Sequence, residues 1–310
     1  MRVLIAEHDH VVYAQLLRQA APDLEVLTSG DSAELSRLAA DCPVWLGQPD
    51  LLATLLRQGH HPHWLQSTWA GITPLLAEGL TRNYCLTRAV GIFGQVMAEY
   101  VLTYMLGHER EVLARLVSQV ERKWDNRQGQ GLAGRKVLIV GTGDIGQCVA
   151  QFLVPFGVQL YGIASEAREL APFIEVGTLE DLPRLVGEVD YVINLLPNTP
   201  NTHDVYDAAL FKQFKPSGLF INVGRGVAVV DADLVQALKD GHLAGAVIDV
   251  CRQEPLPQRH PFWTAWGLLL TGHSSAPTSP TMMVQLFLEN LRAYQAGEAL
   301  RGEVDFNRGY

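Results

Sequence analysis

Cysteine is scarce in these 310 residues, and the four present, Cys42, Cys85, Cys148 and Cys251, form no C-x-x-C or other paired spacing. That pattern excludes a disulfide framework and a cysteine zinc site, and it suits a reducing compartment. Long apolar runs are missing too. Nothing reaches membrane-spanning length, and the first apolar run, Val3 to Ala6, stops at Glu7 and His8, too short for the core of a signal peptide. Positive charge is in deficit: 24 Lys and Arg against 33 Asp and Glu leave a net charge of -9, with no basic block. Nucleic acid and anionic membrane surfaces therefore find no footprint. Repeats of solenoid length and low-complexity segments are also absent. The expectation is a soluble, cytoplasmic protein. An anionic substrate would be repelled by the general field, so a locally placed cation is needed to capture one.

What is present is ample core material, 48% hydrophobic against 18% charged residues, over a length that suits two domains. Short β-branched or Leu-rich runs alternate with helical stretches: Val3-Ile5 then Val11-Ala20, Leu24-Thr28 then Ser32-Ala39, Val44-Gly47 then Leu51-Arg57, followed by strands at Trp64-Thr68 and Tyr84-Thr87. Such alternation predicts a parallel sheet. From Phe93 to Lys123 apolar residues recur at helical spacing, giving one long helix or two broken near Gly107. After the polar, Gly-rich stretch 128–134 a second series begins. Its strands are Lys136-Gly141, Val158-Ile163, Tyr191-Leu196, Leu219-Val223, Ala246-Val250 and Leu268-Thr271. One helix is announced by the capping-box spacing of Thr178 to Asp181, and another is bounded by Asp231 and Gly241.

Gly141-Thr142-Gly143-Asp144-Ile145-Gly146 lies between a strand and a helix, the context that turns a weak G-x-G-x-x-G pattern into a dinucleotide-binding signal. Gly141 makes the tight turn, Gly143 lets the backbone approach a pyrophosphate, and Gly146 lets helix and strand pack closely. The helix N-terminus then faces the phosphates.

Three further segments fall at the carboxyl ends of predicted strands, where ligands sit in open α/β sheets. They are Asn222-Val223-Gly224-Arg225-Gly226, the run from Asp249 through Glu254 to Pro257, and Thr271-Gly272-His273-Ser274-Ser275-Ala276. With these segments, the glycine turn, Leu196-Pro197-Asn198-Thr199 and the loop Trp69-Ala70-Gly71, the chain resembles the D-isomer-specific 2-hydroxyacid dehydrogenases essentially end to end. Within them it is most similar to the glyoxylate/hydroxypyruvate reductases, whose ending resembles Val304 to Tyr310.

Reducing a 2-oxo acid calls for a fixed cation, a proton donor and a hydride donor. Arg225 can fork onto carboxylate and carbonyl oxygens, which Lys cannot. His273 is the candidate acid, with Glu254 holding one ring nitrogen and favouring the imidazolium. Taken singly, each has a plainer reading: a solvated Arg, a turn Glu before Pro, a packed or exposed His. Their order and strand-end placement favour the catalytic one. The resemblance implies that Trp69, Ala70 and Gly71 bind the substrate carboxylate together with Arg225. It also implies that Pro197, Thr202, Val223 and Asp249 join residues 141–146 around the cofactor.

Ala164 stands where an NAD-selective unit usually places Asp or Glu. Ser165 can donate a hydrogen bond and Arg168 can reach a phosphate, so the expected cofactor is NADP or NAD with NADPH favoured, Glu166 acting as counterweight. Two departures from the family stand out: Gly272 replaces the Pro that usually precedes the catalytic His, and Trp69 is bulky for its loop, narrowing the pocket toward short substrates. His60, His61 and His63 surround Pro62 without completing a metal site, and no metal is expected. The stripe from Val96 to Val120 is core or a dimer face, and the resemblance suggests a homodimer.

The resulting expectation is an α/β chain of two flavodoxin/Rossmann-like parallel-sheet domains. A dinucleotide-binding domain, 97–272, is inserted into a substrate domain made of 1–96 and 273–310, with the active site in the cleft between them. The competing reading is a dinucleotide-sensing, corepressor-like binding protein on the same fold, although long partner-binding tails are absent. Formate dehydrogenase is disfavoured because that relative places Gln where Glu254 stands.

Overall fold

The structure, a computed structural model, describes residues 1–307, so Arg308, Gly309 and Tyr310 of the family-like ending lie outside the described residues. The chain opens with β1 (Arg2–Ala6), α1 (His10–Ala20), β2 (Glu25–Thr28), α2 (Ser32–Ala39), β3 (Val44–Gly47), α3 (Pro49–Arg57), β4 (Trp64–Ser67) and β5 (Cys85–Thr87). Next come α4 (Gly94–Glu109), α5 (Val112–Val120), β6 (Lys136–Val140), α6 (Asp144–Leu153), β7 (Gln159–Ile163), β8 (Glu175–Gly177) and α7 (Leu182–Val186). The series closes with β9 (Tyr191–Asn194), α8 (Ala208–Phe211), β10 (Leu219–Asn222), α9 (Asp231–Asp240), β11 (Gly245–Ile248), β12 (Leu268–Leu270) and α10 (Pro280–Ala296).

Two compact units result. One is formed by Met1–Ile92 with the chain from Thr278 onward, the other by Phe93–Pro277. The first holds a five-stranded sheet ordered β2-β1-β3-β4-β5, the second a seven-stranded sheet ordered β12-β11-β10-β9-β6-β7-β8. Every pairing within both sheets is parallel. These are the two common doubly wound orders, flavodoxin-like and Rossmann-like. Their chains reverse direction across the sheet beside β1 and β6 respectively, opening a crevice at the carboxyl ends of the strands.

Parallel strands covered on both faces read as continuous apolar runs, and here alternate residues feed different layers. Leu138, Val140, Val192, Phe220 and Ile248 pack with Leu182, Leu185, Leu234 and Phe211 on one side of the larger sheet. Val137, Ile139, Ile193, Ile221 and Val247 pack on the other with Met97, Ala98, Val101 and Met105 of α4 and Val149, Ala150 and Leu153 of α6.

The unit edges differ from those read in the sequence. The second unit starts at Phe93 rather than 97, because Phe93 caps α4, whose buried face belongs to that unit's core. It ends at Pro277 rather than 272, because the N–H groups of His273, Ser274 and Ser275 are all bound to Asp249. Gly107 lies inside α4. The break falls at Arg110 and Glu111, the latter in a left-handed conformation with φ of 51°. Asp231 is the first helical residue of α9, Val230 taking the cap position, while Gly241 closes the helix with φ of 72°. The capping box at Thr178 forms, closed by Asp181.

Candidate active site

Strand β6 delivers Gly141 to a backbone turn at φ of 111°, a conformation costly for any residue with a Cβ. The N–H groups of Gly141 and Thr142 are tied to the Ile163 carbonyl. A Cβ on Gly146 would sit 2.1 Å from the Gly141 carbonyl oxygen, so helix and turn touch there. Gly143, the N-cap of α6, behaves differently: a Cβ there meets nothing within 4 Å. The turn is thus closed on its protein side and open on its outer side, above the N–H groups of a ten-residue helix. Ile145 is half-buried behind it, and Asp144 stands in the helix's first turn. A dinucleotide pyrophosphate fits this cradle.

Beyond β7, Ser165 is exposed, and Arg168 lies in irregular chain. The Arg168 guanidinium donates to the Thr142 carbonyl at 3.3 Å and hydroxyl at 3.1 Å, which fixes it beside the glycine turn. A pocket of about 500 Å³ adjoins it, lined in part by Leu170, Phe173 and Val176.

The remaining cofactor candidates divide. Pro197 is exposed at the end of β9 and Val223 is buried after β10. The buried Thr202 donates its hydroxyl to the Pro197 carbonyl at 2.6 Å and accepts the Thr199 N–H, so it shapes its loop rather than offering a free donor. Asp249 is 1% exposed. Its Oδ1 accepts the Thr271 hydroxyl at 2.5 Å and the Ser274 N–H at 2.8 Å, and its Oδ2 accepts the Ser275 N–H at 3.1 Å.

Arg225 follows β10. Two buried asparagines that the sequence alone gave no role shape its turn: Asn194 Nδ2 donates to Asn222 Oδ1 at 2.9 Å, and Asn222 in turn holds the Gly224 N–H and the Arg225 carbonyl. The signal was there, because Asn is depleted in strands yet closes both β9 and β10. The Arg225 guanidinium is half-buried and donates to the Gly224 carbonyl at 2.6 Å. Burial lowers its pKa, partly offset by Glu254. Among the described residues it makes no ion pair.

Glu254, in the loop after β11, accepts the Cys251 N–H through Oε1 at 2.8 Å, and its Oε2 lies 2.7 Å from His273 Nδ1. The Glu254 bond raises the His273 pKa above its ordinary value, outweighing burial. Burial pushes the Glu254 carboxyl up, but the His273 bond and the Cys251 N–H outweigh it and hold it below its usual range. With Nδ1–H directed at Glu254, Nε2 is the nitrogen left to carry a proton outward. His273 adopts φ of 52°, a left-handed conformation that costs a residue with a Cβ roughly 1–2 kcal/mol.

In the first unit, the loop Trp69-Ala70-Gly71 follows β4. Ser67 Oγ accepts the Trp69 N–H at 3.1 Å, the Ala89 N–H donates to the Trp69 carbonyl, and the Trp69 side chain is 38% exposed. Among the described residues the N–H groups of Ala70 and Gly71 meet no acceptor. His60 Nε2 lies 2.8 Å from Ser36 Oγ, while His61 and His63 are exposed. No group of three metal-binding side chains occurs among the described residues, and no described helix is long and apolar enough to cross a membrane.

A Rossmann-ordered sheet with a glycine cradle, and beside it an unneutralised arginine and a histidine–glutamate pair, describes an NAD(P)-dependent dehydrogenase. Comparison with known proteins gives the family. The model of the D-isomer specific 2-hydroxyacid dehydrogenase NAD binding domain matches residues 102–275. Glyoxylate/hydroxypyruvate reductase A of Photorhabdus laumondii is 32% identical over 217 residues, 70% of this chain and 69% of that protein. Among solved structures, a D-isomer specific 2-hydroxyacid dehydrogenase family protein from Aeromonas salmonicida superposes with a TM-score of 0.92 at 36% identity, covering 98% of this chain and 99% of that one. The NADPH-dependent glyoxylate/hydroxypyruvate reductase of Sinorhizobium meliloti, solved with NADP and sulfate, gives 0.88 at 26% identity, covering 100% and 99%. The chain belongs to the D-isomer specific 2-hydroxyacid dehydrogenase family and is an NAD(P)-dependent oxidoreductase of 2-hydroxy and 2-oxo acids.

Proposed function

We propose that this enzyme reduces short 2-oxo acids, glyoxylate and hydroxypyruvate foremost, with NADPH. The observation that carries the reading is Arg225, a half-buried guanidinium without an ion-pair partner among the described residues, electrostatically coupled to the Glu254–His273 pair. A buried cation calls for an anion. Arg225 receives the substrate carboxylate and carbonyl oxygen and stabilises charge developing on that oxygen. His273 donates the proton from Nε2 as the oxygen becomes a hydroxyl, and Glu254 stabilises the imidazolium beforehand. The bound nicotinamide supplies the hydride. Residues 141–146 would hold its pyrophosphate, with Val223 and Pro197 following the neighbouring strand ends.

For the cofactor, Ala164 removes the carboxylate that would repel a 2′-phosphate, and Arg168 is already anchored at Thr142 beside the turn. The neighbour from Sinorhizobium meliloti is described as NADPH-dependent, which supports the same preference here. A homodimer is supported by α5, which has no buried residue: Leu113, Leu116 and Val120 are 61%, 55% and 77% exposed, a contiguous apolar face that a second copy would cover. Sedimentation of wild type and Leu116→Glu tests that point, with a monomeric variant expected.

The central experiment is a steady-state screen of glyoxylate, hydroxypyruvate and pyruvate against NADPH and NADH, in wild type and Arg168→Ala. Turnover of the two short acids with higher kcat/KM for NADPH is expected, and Arg168→Ala should lower the NADPH value about tenfold, from loss of a charge-assisted contact. A wild-type preference for NADH rejects the cofactor assignment. Cofactor binding without turnover of any 2-oxo acid would instead favour a dinucleotide-sensing protein.

A further inference from the structure

The loop carrying His273 is held in an unusual conformation largely by hydrogen bonds to one residue. Gly272 has open space where a side chain would be, and His273 sits at φ of 52°. What holds the loop is one buried residue. Asp249 accepts the His273 N–H through its carbonyl at 2.8 Å and the next two N–H groups through its carboxylate. The Thr271 hydroxyl, 2.5 Å from Asp249 Oδ1, directs its single hydrogen there, so the Tyr100 hydroxyl, 2.7 Å from Thr271 Oγ1, is the donor in that contact. Tyr100 belongs to α4, which is packed into the unit's core.

We propose that Tyr100, Thr271 and Asp249 form a positioning chain that ties the His273 loop to α4 and sets the imidazole against Glu254 for proton donation. The inference rests on the reading of His273 as the proton donor. Burial pushes the Tyr100 hydroxyl well up, so it remains a donor throughout the working range. A carboxylate that gathers a hydroxyl and two consecutive N–H groups fixes the loop backbone. The 2.7 Å contact between Nδ1 and Glu254 depends on that backbone. The charged groups facing His273 are Glu254, Arg225 and Asp249. When the loop relaxes, the Glu254 contact weakens while the repulsion from Arg225 persists, so the imidazolium is lost at lower pH.

Thr271→Val keeps the side chain's shape and removes the hydroxyl. Its kcat for the 2-oxo acid turned over fastest is expected to fall about tenfold, the order of effect of a slightly misplaced catalytic group. KM and NADPH affinity should stay within about twofold, and the high-pH fall in rate should move to lower pH. Thr271→Ser should restore both rate and profile, and Tyr100→Phe should show the same signature at about threefold. If Thr271→Val and Asp249→Asn both keep wild-type kcat and pH profile, the chain does not position His273. A fall in kcat with an unmoved profile and weakened NADPH binding also overturns the proposal, since that is the mark of a merely structural role. His273→Gln separates the two levels. Near-wild-type activity in that variant removes the parent reading, whereas an inactive His273→Gln beside an unaffected Thr271→Val removes only the chain.

Discussion

The two units repeat one architecture, a parallel sheet whose chain reverses beside its first strand, yet the turns after those first strands have opposite chemistry. After β6 come the three glycines of residues 141–146, with backbone N–H groups and open space at Gly143. After β1 come Glu7, His8 and Asp9 before α1 begins. Burial raises the Glu7 pKa, and the Thr68 hydroxyl at 2.6 Å and the His8 N–H bond its carboxylate. One turn presents backbone N–H groups with open space at Gly143, the other the carboxyl groups of Glu7 and Asp9. Fold alone therefore does not place a phosphate site. The chemistry of one turn does.

The comparison breaks most visibly at Arg225, the cation the second unit places at a strand end. Arg225→Ala is expected to lower kcat for 2-oxo acid reduction by about 10²–10³. Arg225→Lys should recover little of it, because an ammonium cannot make two parallel bonds to a carboxylate. Near-normal kcat/KM in the alanine variant would show that the charge difference between the units has no catalytic meaning.

Gly143→Asp makes the second turn resemble the first. The new Cβ meets open space, and Asp is a favoured N-cap, so stability should hold or rise slightly. The carboxylate would face the pyrophosphate, and NADPH dissociation constants should rise at least about tenfold, roughly 1.4 kcal/mol. Fluorescence titration of NADPH beside a thermal melt reads both quantities. Unchanged affinity would mean the cofactor does not approach Gly143.

How much of this was legible beforehand follows the range of the interactions. Most strands are short β-branched or Leu-rich runs and could be read locally, as could the glycine turn and the order Arg225, Glu254, His273. Strand β8 could not, being three residues that end in glycine and gain their identity from pairing with β7. Helix α10 is not among the elements expected from the sequence, although Ser279 caps it and Met283, Val284, Phe287 and Leu291 form a buried face. Within the site, Glu254 and His273 are 19 positions apart and could be paired on chemical grounds. Tyr100 and Thr271 are 171 apart, and neither residue type announces the bond between them. Side-chain hydrogen bonds across a fold leave no periodicity to read.

A sharper form of the comparison concerns pH. On the proposed mechanism, reduction needs His273 protonated. Because the Glu254 bond raises its pKa in the folded enzyme, the rate should be full below that raised value and fall as pH climbs through it. Glu254→Gln removes the carboxylate charge, returns the imidazole toward its ordinary range and moves the fall to lower pH. By the same proposal, oxidation of the 2-hydroxy acid uses neutral His273 and should rise through the same pH window. Superimposable rate profiles for wild type and variant would disprove the coupling.

The smallest effect expected is at Gly272, and it sets one kind of glycine against another. Gly141 has φ of 111° and backbone atoms of Leu195 at 3.0 Å from a would-be Cβ, so its substitution is strained twice over. Gly272 has neither feature: its φ lies outside the left-handed range, and nothing stands within 4 Å of a would-be Cβ. Replacing such a glycine by alanine restricts the unfolded chain without straining the folded one, which stabilises by about 0.4–1 kcal/mol. Gly272→Ala should accordingly raise the melting temperature by about 2 °C and leave the hydrogen bonds of His273, Ser274 and Ser275 to Asp249 in place. Gly141→Ala should lower it. The pair is measured side by side by scanning calorimetry. A lower melting temperature for Gly272→Ala would mean that this loop needs conformations only glycine reaches, and that residues other than Asp249 determine where His273 points.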